Sequence, residues 1–256
     1  MDRVRGKVAL ITGGGSGIGA ATGELVCAEG GMAMLVDANA DALADTVRQI
    51  AQQVPGARVA TFVADVADAG EATRAVSRAL DFGQLDVLVN NAAMRNYSAI
   101  ADASPAEWQA VVGVNLVGAA NYCRAALPAL RRSPRASIVN VSSCYAVAGR
   151  KGMGLYDATK AGILAMTRTL AVEESAHGVR VNAVCPGSTL TSFHISKAKA
   201  AGKSVETLKT ERQTTSLLSR WATPHEIAWP IIWLASDEAS FMTGATLMVD
   251  GGLSIM

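Results

Sequence analysis

The chain has no long hydrophobic run of the kind that crosses a membrane. No uncharged apolar stretch in its 256 residues approaches the roughly 20 residues that a membrane-spanning helix needs. The N-terminal residues 1–15 contain only a four-residue apolar run before threonine and glycine, which is too short for a signal peptide. We therefore expect a soluble, cytoplasmic protein that has no membrane partner.

Net charge and metal-binding residues are also scarce. The formal net charge is only +1, which argues against the basic surface that nucleic-acid-binding proteins present. The four cysteines are widely separated and include no C-x-x-C pair, so the sequence predicts neither a disulfide framework nor a zinc site. None of the three histidines stands at ligand spacing from a cysteine or carboxylate, and we predict no metal site. A small molecule is the expected partner.

Short hydrophobic runs alternate with alanine-rich amphipathic stretches along the chain, and no proline- or serine-rich linker interrupts them. The runs are KVALIT, MAMLVD, RVATFVAD, LDVLVNN, ASIVNVSS, VRVNAVCP and TLMVDGG, and the amphipathic stretches include 40–53, 69–81, 116–132 and 157–176. Because the runs are apolar on both faces, they are typical of buried parallel strands joined by crossover helices. The sequence predicts an α/β fold: residues 1–256 form a single doubly wound Rossmann-type domain, with a parallel sheet of about seven strands and helices on both faces.

One polar, lysine-rich segment, 188–216, departs from this alternation. It follows the strand predicted at 179–185 and precedes a helix that we expect to begin at Pro224. A long insertion after the carboxyl end of a strand lies over the ligand crevice of such a sheet, so we expect a substrate lid here. The alternative is a solvated pair of surface helices.

A glycine-rich stretch follows the first predicted strand. In TGGGSGIG, Gly13, Gly17 and Gly19 have the spacing G-x-x-x-G-x-G, with Ser16 and Ile18 on either side of Gly17. Glycine lets backbone N–H groups approach a pyrophosphate, whose charge is stabilised by the N-terminus of the helix that follows. The stretch predicts a dinucleotide site, although a tight strand-to-helix connection would have a similar pattern.

Asp37 stands at the end of the second predicted strand, 18 residues after Gly19. A carboxylate at this place accepts hydrogen bonds from both hydroxyls of an adenosine ribose and repels a 2′-phosphate. Neither Ser16 nor Ala38 supplies a cation for such a phosphate. The predicted cofactor is NAD rather than NADP, and the alternative is a polar cap on the strand.

Three polar residues are spaced to meet at one crevice. Tyr156 and Lys160 are four residues apart in a predicted helix, which places both side chains on one face. A neighbouring ammonium favours the phenolate form of a tyrosine, whose pKa is otherwise about 10. Ser143, at the end of the strand ASIVNVSS, can reach the same crevice and hydrogen-bond a substrate oxygen. The pattern predicts acid/base chemistry on an alcohol or carbonyl group.

Ordered landmarks along essentially the whole chain resemble the short-chain dehydrogenase/reductase family. They are TGGGSGIG, Asp65 and Val66 after the third strand, NNAA at 90–93, Asn115 in VGVNLVG, Ser143, YDATK at 156–160, PGSTLT at 186–191 and TGATLMVDGG near the end. The chain departs from the family at Ala93, where glycine is usual.

This resemblance implies a catalytic tetrad of Asn115, Ser143, Tyr156 and Lys160. Tyr156 would take the proton of the substrate hydroxyl during oxidation, and Lys160 would hold the nicotinamide ribose and lower the pKa of the tyrosine. Asn115 would anchor a water that relays the proton onward. Further cofactor contacts are implied for Asp65 and Val66 at the adenine, Asn91 and Ala92 along the ribose, and Pro186, Gly187, Thr189 and Thr191 around the nicotinamide carboxamide.

Residues near the predicted crevice are mixed polar, basic and aromatic. They are Met94, Arg95, Asn96, Tyr97, Cys144, Tyr145, residues 150–153, Phe193 and His194. This mixture favours a polyol, sugar, hydroxy-acid or cyclic diol over a steroid or a long acyl chain. Arg95 or Arg150 would hold a carboxylate if the substrate has one, and the alternative is that both arginines are solvated.

Three functions fit the sequence. The first is an NAD-dependent dehydrogenase of secondary alcohols, the second is an NADPH-dependent carbonyl reductase of the ketoacyl type, and the third is a non-catalytic dinucleotide-binding regulator. Asp37 disfavours the second, and the presence of both Tyr156 and Lys160 disfavours the third. The resemblance also suggests a homotetramer with contacts at 104–132, 155–176 and the C-terminal GGLSIM.

Overall fold

Seven parallel strands form the central sheet. The computed structural model describes residues 2–210 and 216–256. In these ranges the strands are β1 (Val8–Thr12), β2 (Met32–Asp37), β3 (Arg58–Val63), β4 (Val87–Asn90), β5 (Ser137–Val141), β6 (Arg180–Pro186) and β7 (Thr246–Val249). Their order across the sheet is β3-β2-β1-β4-β5-β6-β7, and every neighbouring pair is parallel. The predicted doubly wound α/β fold is confirmed.

Helices cover both faces of the sheet. They are α1 (Gly17–Ala28), α2 (Ala40–Gln53), α3 (Ala69–Ala79), α4 (Pro105–Val112), α5 (Gly118–Leu130), α6 (Gly154–Glu173), α7 (Ser192–Ala200), α8 (Val205–Thr210) and α9 (Pro224–Ala235). Successive strand residues point to opposite faces, so Ile11 packs with the cluster under α1 and α9, whereas Leu10 packs with the cluster under α3 and α5. Both faces therefore bury apolar side chains, as the unbroken hydrophobic runs predicted.

The two edge strands differ from that prediction. In β3 and β7 the side chains are only partly covered, and Val63 is 53% exposed. An edge strand has a neighbour on one side only, so flanking helices cover it less completely than they cover a central strand. The hydrophobic pattern alone did not distinguish edge from centre.

The stretch 105–130 is longer than the helix predicted at 116–132. A π-helical turn, Gly113–Val117, joins α4 and α5 into one continuous helix. By length and by its mean hydropathy of 1.2 this helix is apolar enough to cross a membrane. However, its inward side chains Tyr122, Ala126 and Leu130 are completely buried against the sheet. It is therefore placed as a core helix of the α/β fold.

The carboxyl ends of β1 and β4 lie side by side at the point where the strand order reverses. In a doubly wound sheet, this position opens a crevice for ligands. The segment after β6 lies over the same edge: it forms α7 and α8, and residues 211–215 of the lid predicted at 188–216 are outside the described ranges. The helix predicted from Pro224 is confirmed as α9.

Candidate active site

One cavity of about 530 Å³ lies at the carboxyl edge of the sheet. It runs from the glycine loop, past the ends of β4 and β5, to α7. The predicted site residues that line it are Gly13, Ser16, Gly17, Ile18, Asp37, Asn91, Ala92, Ser143, Tyr156, Lys160, Pro186, Gly187, Thr189 and Thr191. Four others, Gly19, Asp65, Val66 and Asn115, do not line it.

The backbone of the glycine loop comes very close to neighbouring groups, which only glycine allows. Gly13 has a φ of +66°, and a Cβ there would lie 2.7 Å from Asn91 Nδ2. A Cβ at Gly19 would lie 2.1 Å from the carbonyl oxygen of Gly13, so this glycine lets α1 pack on the loop instead of lining the cavity. Ser16 caps α1 without a side-chain hydrogen bond, and the first turn has no acidic residue. The N–H groups of that turn are thus suited to an anion.

The carboxylate of Asp37 is held by two backbone N–H groups. Its Oδ2 accepts from Gly15 N at 3.0 Å, and its Oδ1 accepts from Asn39 N at 3.0 Å. A carboxylate has about four acceptor positions, so both oxygens keep acceptor capacity on the cavity side. Asp37 is therefore fixed at the end of the cavity that begins with the glycine loop.

Asn91 and Thr12 join the ends of β4 and β1. Asn91 Nδ2 donates to the carbonyls of Thr12 and Gly13 at 2.9 and 3.1 Å. The Thr12 hydroxyl accepts from the backbone N–H groups of Asn91 and Ala92 at 3.0 and 3.1 Å. Sequence reasoning missed Thr12, although its position directly before the glycine loop was a usable signal.

Asp65 and Val66 lie outside the cavity. The Asp65 side chain is exposed and accepts from Ala67 N at 2.9 Å, which shapes the turn before α3. Val66 is buried, with its Cγ2 2.9 Å from where a Cβ on Gly118 would stand. Both residues therefore have evident structural contacts, and their place beside an adenine stays a prediction.

Ser143, Tyr156 and Lys160 come together on one wall of the cavity, as predicted. Ser143 follows β5 and lies close enough to Tyr156 to lower the pKa of the tyrosine, while its Oγ accepts from Tyr145 N at 3.2 Å. Lys160 Nζ donates to the carbonyl of Val141 at 2.7 Å and lies 5.7 Å from the centroid of the Tyr156 ring. Because β5 and α6 are adjacent in the fold, the strand end and the helix face deliver these groups to the same place.

Burial dominates the electrostatics of this wall. It raises the pKa of Tyr156, and the charges of Arg95 and Arg150, with the nearby Ser143 hydroxyl, oppose that rise. The predicted lowering of the tyrosine pKa by Lys160 stays a prediction. Burial and the nearby Arg95 lower the pKa of Lys160 to about 8. Burial is the largest influence on the pKa of both residues, and the spacing of four residues could not reveal it.

The side chain of Asn115 joins two segments of the chain behind the cavity. Its Oδ1 accepts from Met94 N at 2.8 Å, and its Nδ2 donates to Met94 O at 3.0 Å and to Thr159 Oγ1 at 3.1 Å. Both donor positions of the side-chain amide are thus used within the protein, and the water that the resemblance implied stays a prediction. Asn115 stands in the π-helical turn and ties the loop after β4 to α6, which carries Tyr156.

The outer end of the cavity is formed by only part of the predicted substrate wall. Met94, Arg95, Tyr145, Arg150, Phe193 and His194 line it, together with Ser188 and Trp221, which sequence reasoning missed. Cys144 is buried away from the cavity, and burial raises the pKa of its thiol to about 11. Asn96 and Tyr97 are also outside the lining: Asn96 donates to Glu107, and Tyr97 lies under Lys197 of α7.

The two arginines of this outer end are held differently. Arg150 donates to both carboxylate oxygens of Asp157, at 2.8 and 3.1 Å, and its guanidinium lies 3.8 Å from the Tyr145 ring centroid. Arg95 Nη1 lies 3.0 Å from His194 Nε2, and His194 Nδ1 lies 3.0 Å from Thr191 Oγ1. In the described ranges, no group of three or more histidine, cysteine, aspartate and glutamate side chains is placed to hold a metal ion.

A nicotinamide dinucleotide fits this arrangement of residues. The glycine loop lies along the cavity, and a Cβ at Gly13 or Gly19 would collide with Asn91 or with the backbone of the loop itself, so only glycine allows this loop shape. Asp37 lies on one side of that loop, and the Tyr156 and Lys160 wall lies on the other, along a single cavity. The loop suits phosphates, the carboxylate of Asp37 can accept hydrogen bonds from a ribose, and Tyr156 with Lys160 can serve as an acid/base pair. This order along the cavity matches the chemistry of such a cofactor.

Comparison with known proteins supports the same assignment. A family model described as enoyl-(acyl carrier protein) reductase matches residues 13–254. The chain is 38% identical to the short chain dehydrogenase/reductase astE of Aspergillus oryzae, covering 99% of this chain and 97% of that protein. It is 37% identical to the 3-oxoacyl-[acyl-carrier-protein] reductase FabG of Thermotoga maritima, with 99% and 100% coverage. It is also 37% identical to trans-4-hydroxycyclohexanecarboxylate dehydrogenase of Sinomonas cyclohexanicum, with 98% and 94% coverage.

Solved structures agree with the sequence matches. The crystal structure of levodione reductase superposes with a TM-score of 0.92 at 31% identity, covering 99% of each chain. The parallel sheet, the glycine loop and the tyrosine–lysine helix are thus found in a chain whose relatives match it from end to end. The protein belongs to the short-chain dehydrogenase/reductase family of nicotinamide-dependent oxidoreductases.

Proposed function

We propose that the protein is an NAD-dependent dehydrogenase that transfers hydride between a secondary alcohol and the nicotinamide. The observation that carries this proposal is the single cavity that has Asp37 at one end and Ser143, Tyr156 and Lys160 further along it. When bound, the dinucleotide accepts or returns the hydride. The protein supplies the proton transfer, the orientation of the substrate and the binding surface.

Tyr156 is the proposed acid/base. In oxidation its phenolate oxygen takes the proton of the substrate hydroxyl, and in reduction its hydroxyl returns that proton. Ser143 lies beside Tyr156 on the same wall of the cavity, so it would hold the substrate oxygen in line with that transfer. Lys160 would hold the nicotinamide ribose from the floor of the cavity, where Val141 orients its ammonium.

Asp37 supports NAD over NADP. A 2′-phosphate on the adenosine ribose would meet a carboxylate that Gly15 and Asn39 hold in place. The alternative, an NADPH-dependent carbonyl reductase, gains support from the similarity to the 3-oxoacyl-[acyl-carrier-protein] reductase. The electrostatic repulsion at Asp37 favours the first proposal.

The proposed substrates are small hydroxylated molecules: polyols, sugars, hydroxy-acids or cyclic diols. The outer end of the cavity has aromatic edges from Tyr145, Phe193 and Trp221 among polar and basic groups. The relative from Sinomonas cyclohexanicum is named for a hydroxycarboxylic acid with a six-membered ring. We propose that α7, which contributes Phe193 and His194 to the cavity, acts as part of a lid at 188–216 over this substrate.

The experiment that tests the function measures NADH or NADPH formation by the purified protein with a panel of secondary alcohols. The panel contains aldoses, polyols, hydroxy-acids, cyclic dihydrodiols and a hydroxysteroid, each offered with NAD and with NADP. Turnover of one of the small hydroxylated classes with NAD is the expected result. Turnover only with NADP would favour the carbonyl reductase. Tight NADH binding without turnover of any class would favour the non-catalytic regulator.

A cytoplasmic location stays a prediction.

We further propose that the protein is a homotetramer. Apolar groups lie between α5 and α6, including Leu127, Pro128 and Met166, and Val172 on α6 is 77% exposed. The C-terminal Ile255 and Met256 are also exposed. Such surfaces are typical of contacts between subunits. Light scattering that gave the mass of a monomer would contradict the proposal.

A further inference from the structure

We propose that Arg95 is an anion-binding residue of the active site, and that the substrate is a hydroxy-acid whose carboxylate Arg95 holds. This inference rests on the proposed function, because it assigns a substrate class to the same cavity. Among the polyols, sugars, hydroxy-acids and cyclic diols considered above, it selects the charged class. The carboxylate takes no part in the hydride transfer and serves to position the carbinol carbon.

The positive charges of Arg150 and Arg95 in the outer cavity differ in how they are compensated. The guanidinium of Arg150 has a carboxylate partner in Asp157, with two hydrogen bonds, and it is stacked on Tyr145. In residues 2–210 and 216–256, Arg95 has no such carboxylate partner, and its hydrogen bond is to His194. Arg95 therefore brings a net positive charge to the cavity, whereas the charge of Arg150 is neutralised locally.

Arg95 also lies close to Tyr156, the proposed acid/base. The Arg95 guanidinium carbon lies 5.7 Å from the centroid of the Tyr156 ring and 5.6 Å from that of Phe193. Its charge also lowers the pKa of both Tyr156 and Lys160 relative to burial alone, which is consistent with this closeness. A substrate whose hydroxyl meets Tyr156 therefore reaches Arg95 with a carboxylate only a few bonds away, along a ring or a short chain.

A neighbouring side chain orients the guanidinium of Arg95. Arginine can only donate hydrogen bonds, so Arg95 Nη1 is the donor in its contact with His194 Nε2. His194 Nδ1 in turn lies 3.0 Å from Thr191 Oγ1. This contact orients the guanidinium, and an imidazole carries no negative charge that would cancel that of Arg95. One N–H of Arg95 is used in this way, and the remaining donors can form the paired contact that guanidinium makes with a carboxylate.

The test compares hydroxy-acids with their uncharged methyl esters. We would measure kcat/KM with NAD for 3-hydroxybutyrate and 4-hydroxycyclohexanecarboxylate, and for the methyl ester of each, in the wild type and in Arg95→Gln. The ratio of acid to ester is expected to fall about 10- to 100-fold in the variant, because a charge-assisted hydrogen bond is lost for the acid alone. Arg48→Gln, an exposed arginine on α2, is the matched control whose ratio should equal that of the wild type.

A second variant and a binding measurement keep the result decisive. Arg150→Gln should change the acid and the ester in parallel, so a fall of the ratio in Arg150→Gln instead of Arg95→Gln would overturn the assignment. Calorimetry on the NADH-loaded protein would compare cyclohexanecarboxylate with cyclohexanecarboxamide as probes. Equal affinities for the two probes would also overturn it. If no panel alcohol is oxidised, yet Arg95-dependent binding of the carboxylate persists, the proposed reaction fails while the anion site stands.

Discussion

Replacing Tyr156 by phenylalanine is expected to lower kcat for alcohol oxidation by about 100- to 10,000-fold, the usual contribution of a general acid/base. The variant should fold and bind NADH as the wild type does, because the ring remains and only the hydroxyl is removed. Stopped-flow or steady-state NADH formation measures the loss, and NADH fluorescence titration measures the binding. Full activity in the variant would rule out the proposed mechanism.

Tyr122→Phe is the matched control for this experiment. Tyr122 is a completely buried residue of α5, and its hydroxyl has no hydrogen-bond partner among the described residues. Removal of that hydroxyl should leave kcat unchanged, since Tyr122 does not line the cavity. A loss of activity in both variants would indicate that tyrosine hydroxyls matter for folding instead of for proton transfer.

The pH profile gives an independent check on the same group. Burial raises the pKa of Tyr156, so the phenolate that accepts the proton becomes more abundant as pH rises into the alkaline range. Oxidation by the wild type should therefore accelerate with pH, whereas the reduction should slow because it needs the protonated form. The residual oxidation by Tyr156→Phe should lack this alkaline rise.

Changing Asp37 to asparagine is expected to lower the ratio of kcat/KM for NAD to that for NADP by about 100-fold. In the proposed complex the carboxylate would accept charge-assisted hydrogen bonds from the ribose of NAD, and the neutral amide would accept weaker ones. The same change removes the repulsion of a 2′-phosphate, so the value for NADP should rise. Both effects lower the ratio of kcat/KM for NAD to that for NADP.

The control for this prediction is Asp41→Asn, an exposed carboxylate in the first turn of α2. It removes one negative charge a few residues away without touching the cavity. An equal change of the coenzyme ratio in both variants would mean that the general field, not the contact at Asp37, sets the preference. An unchanged ratio in Asp37→Asn would contradict the assignment of the ribose site.

The roles of individual residues could be predicted to very different degrees. Gly13, Asp37 and Tyr156 were found because each stands at a strand end or on a helix face, where local spacing determines position. Thr12, Thr159 and Trp221 were missed because their contacts join segments that are far apart in the chain. Asn115 was found by resemblance, whereas its hydrogen bonds to Met94 and Thr159 were not predicted.

Local rules of the sequence determined the alternation of strands and helices, the glycine loop before α1, and the face of α6 that carries Tyr156 and Lys160. These features depend on periodicity and on backbone geometry, which act over a few residues. Only the tertiary structure decided that Asp157 neutralises Arg150, that Arg95 meets His194, and that burial dominates the pKa of Tyr156. Desolvation and charge pairing depend on which distant segments pack together, and no pattern within one segment contains that information.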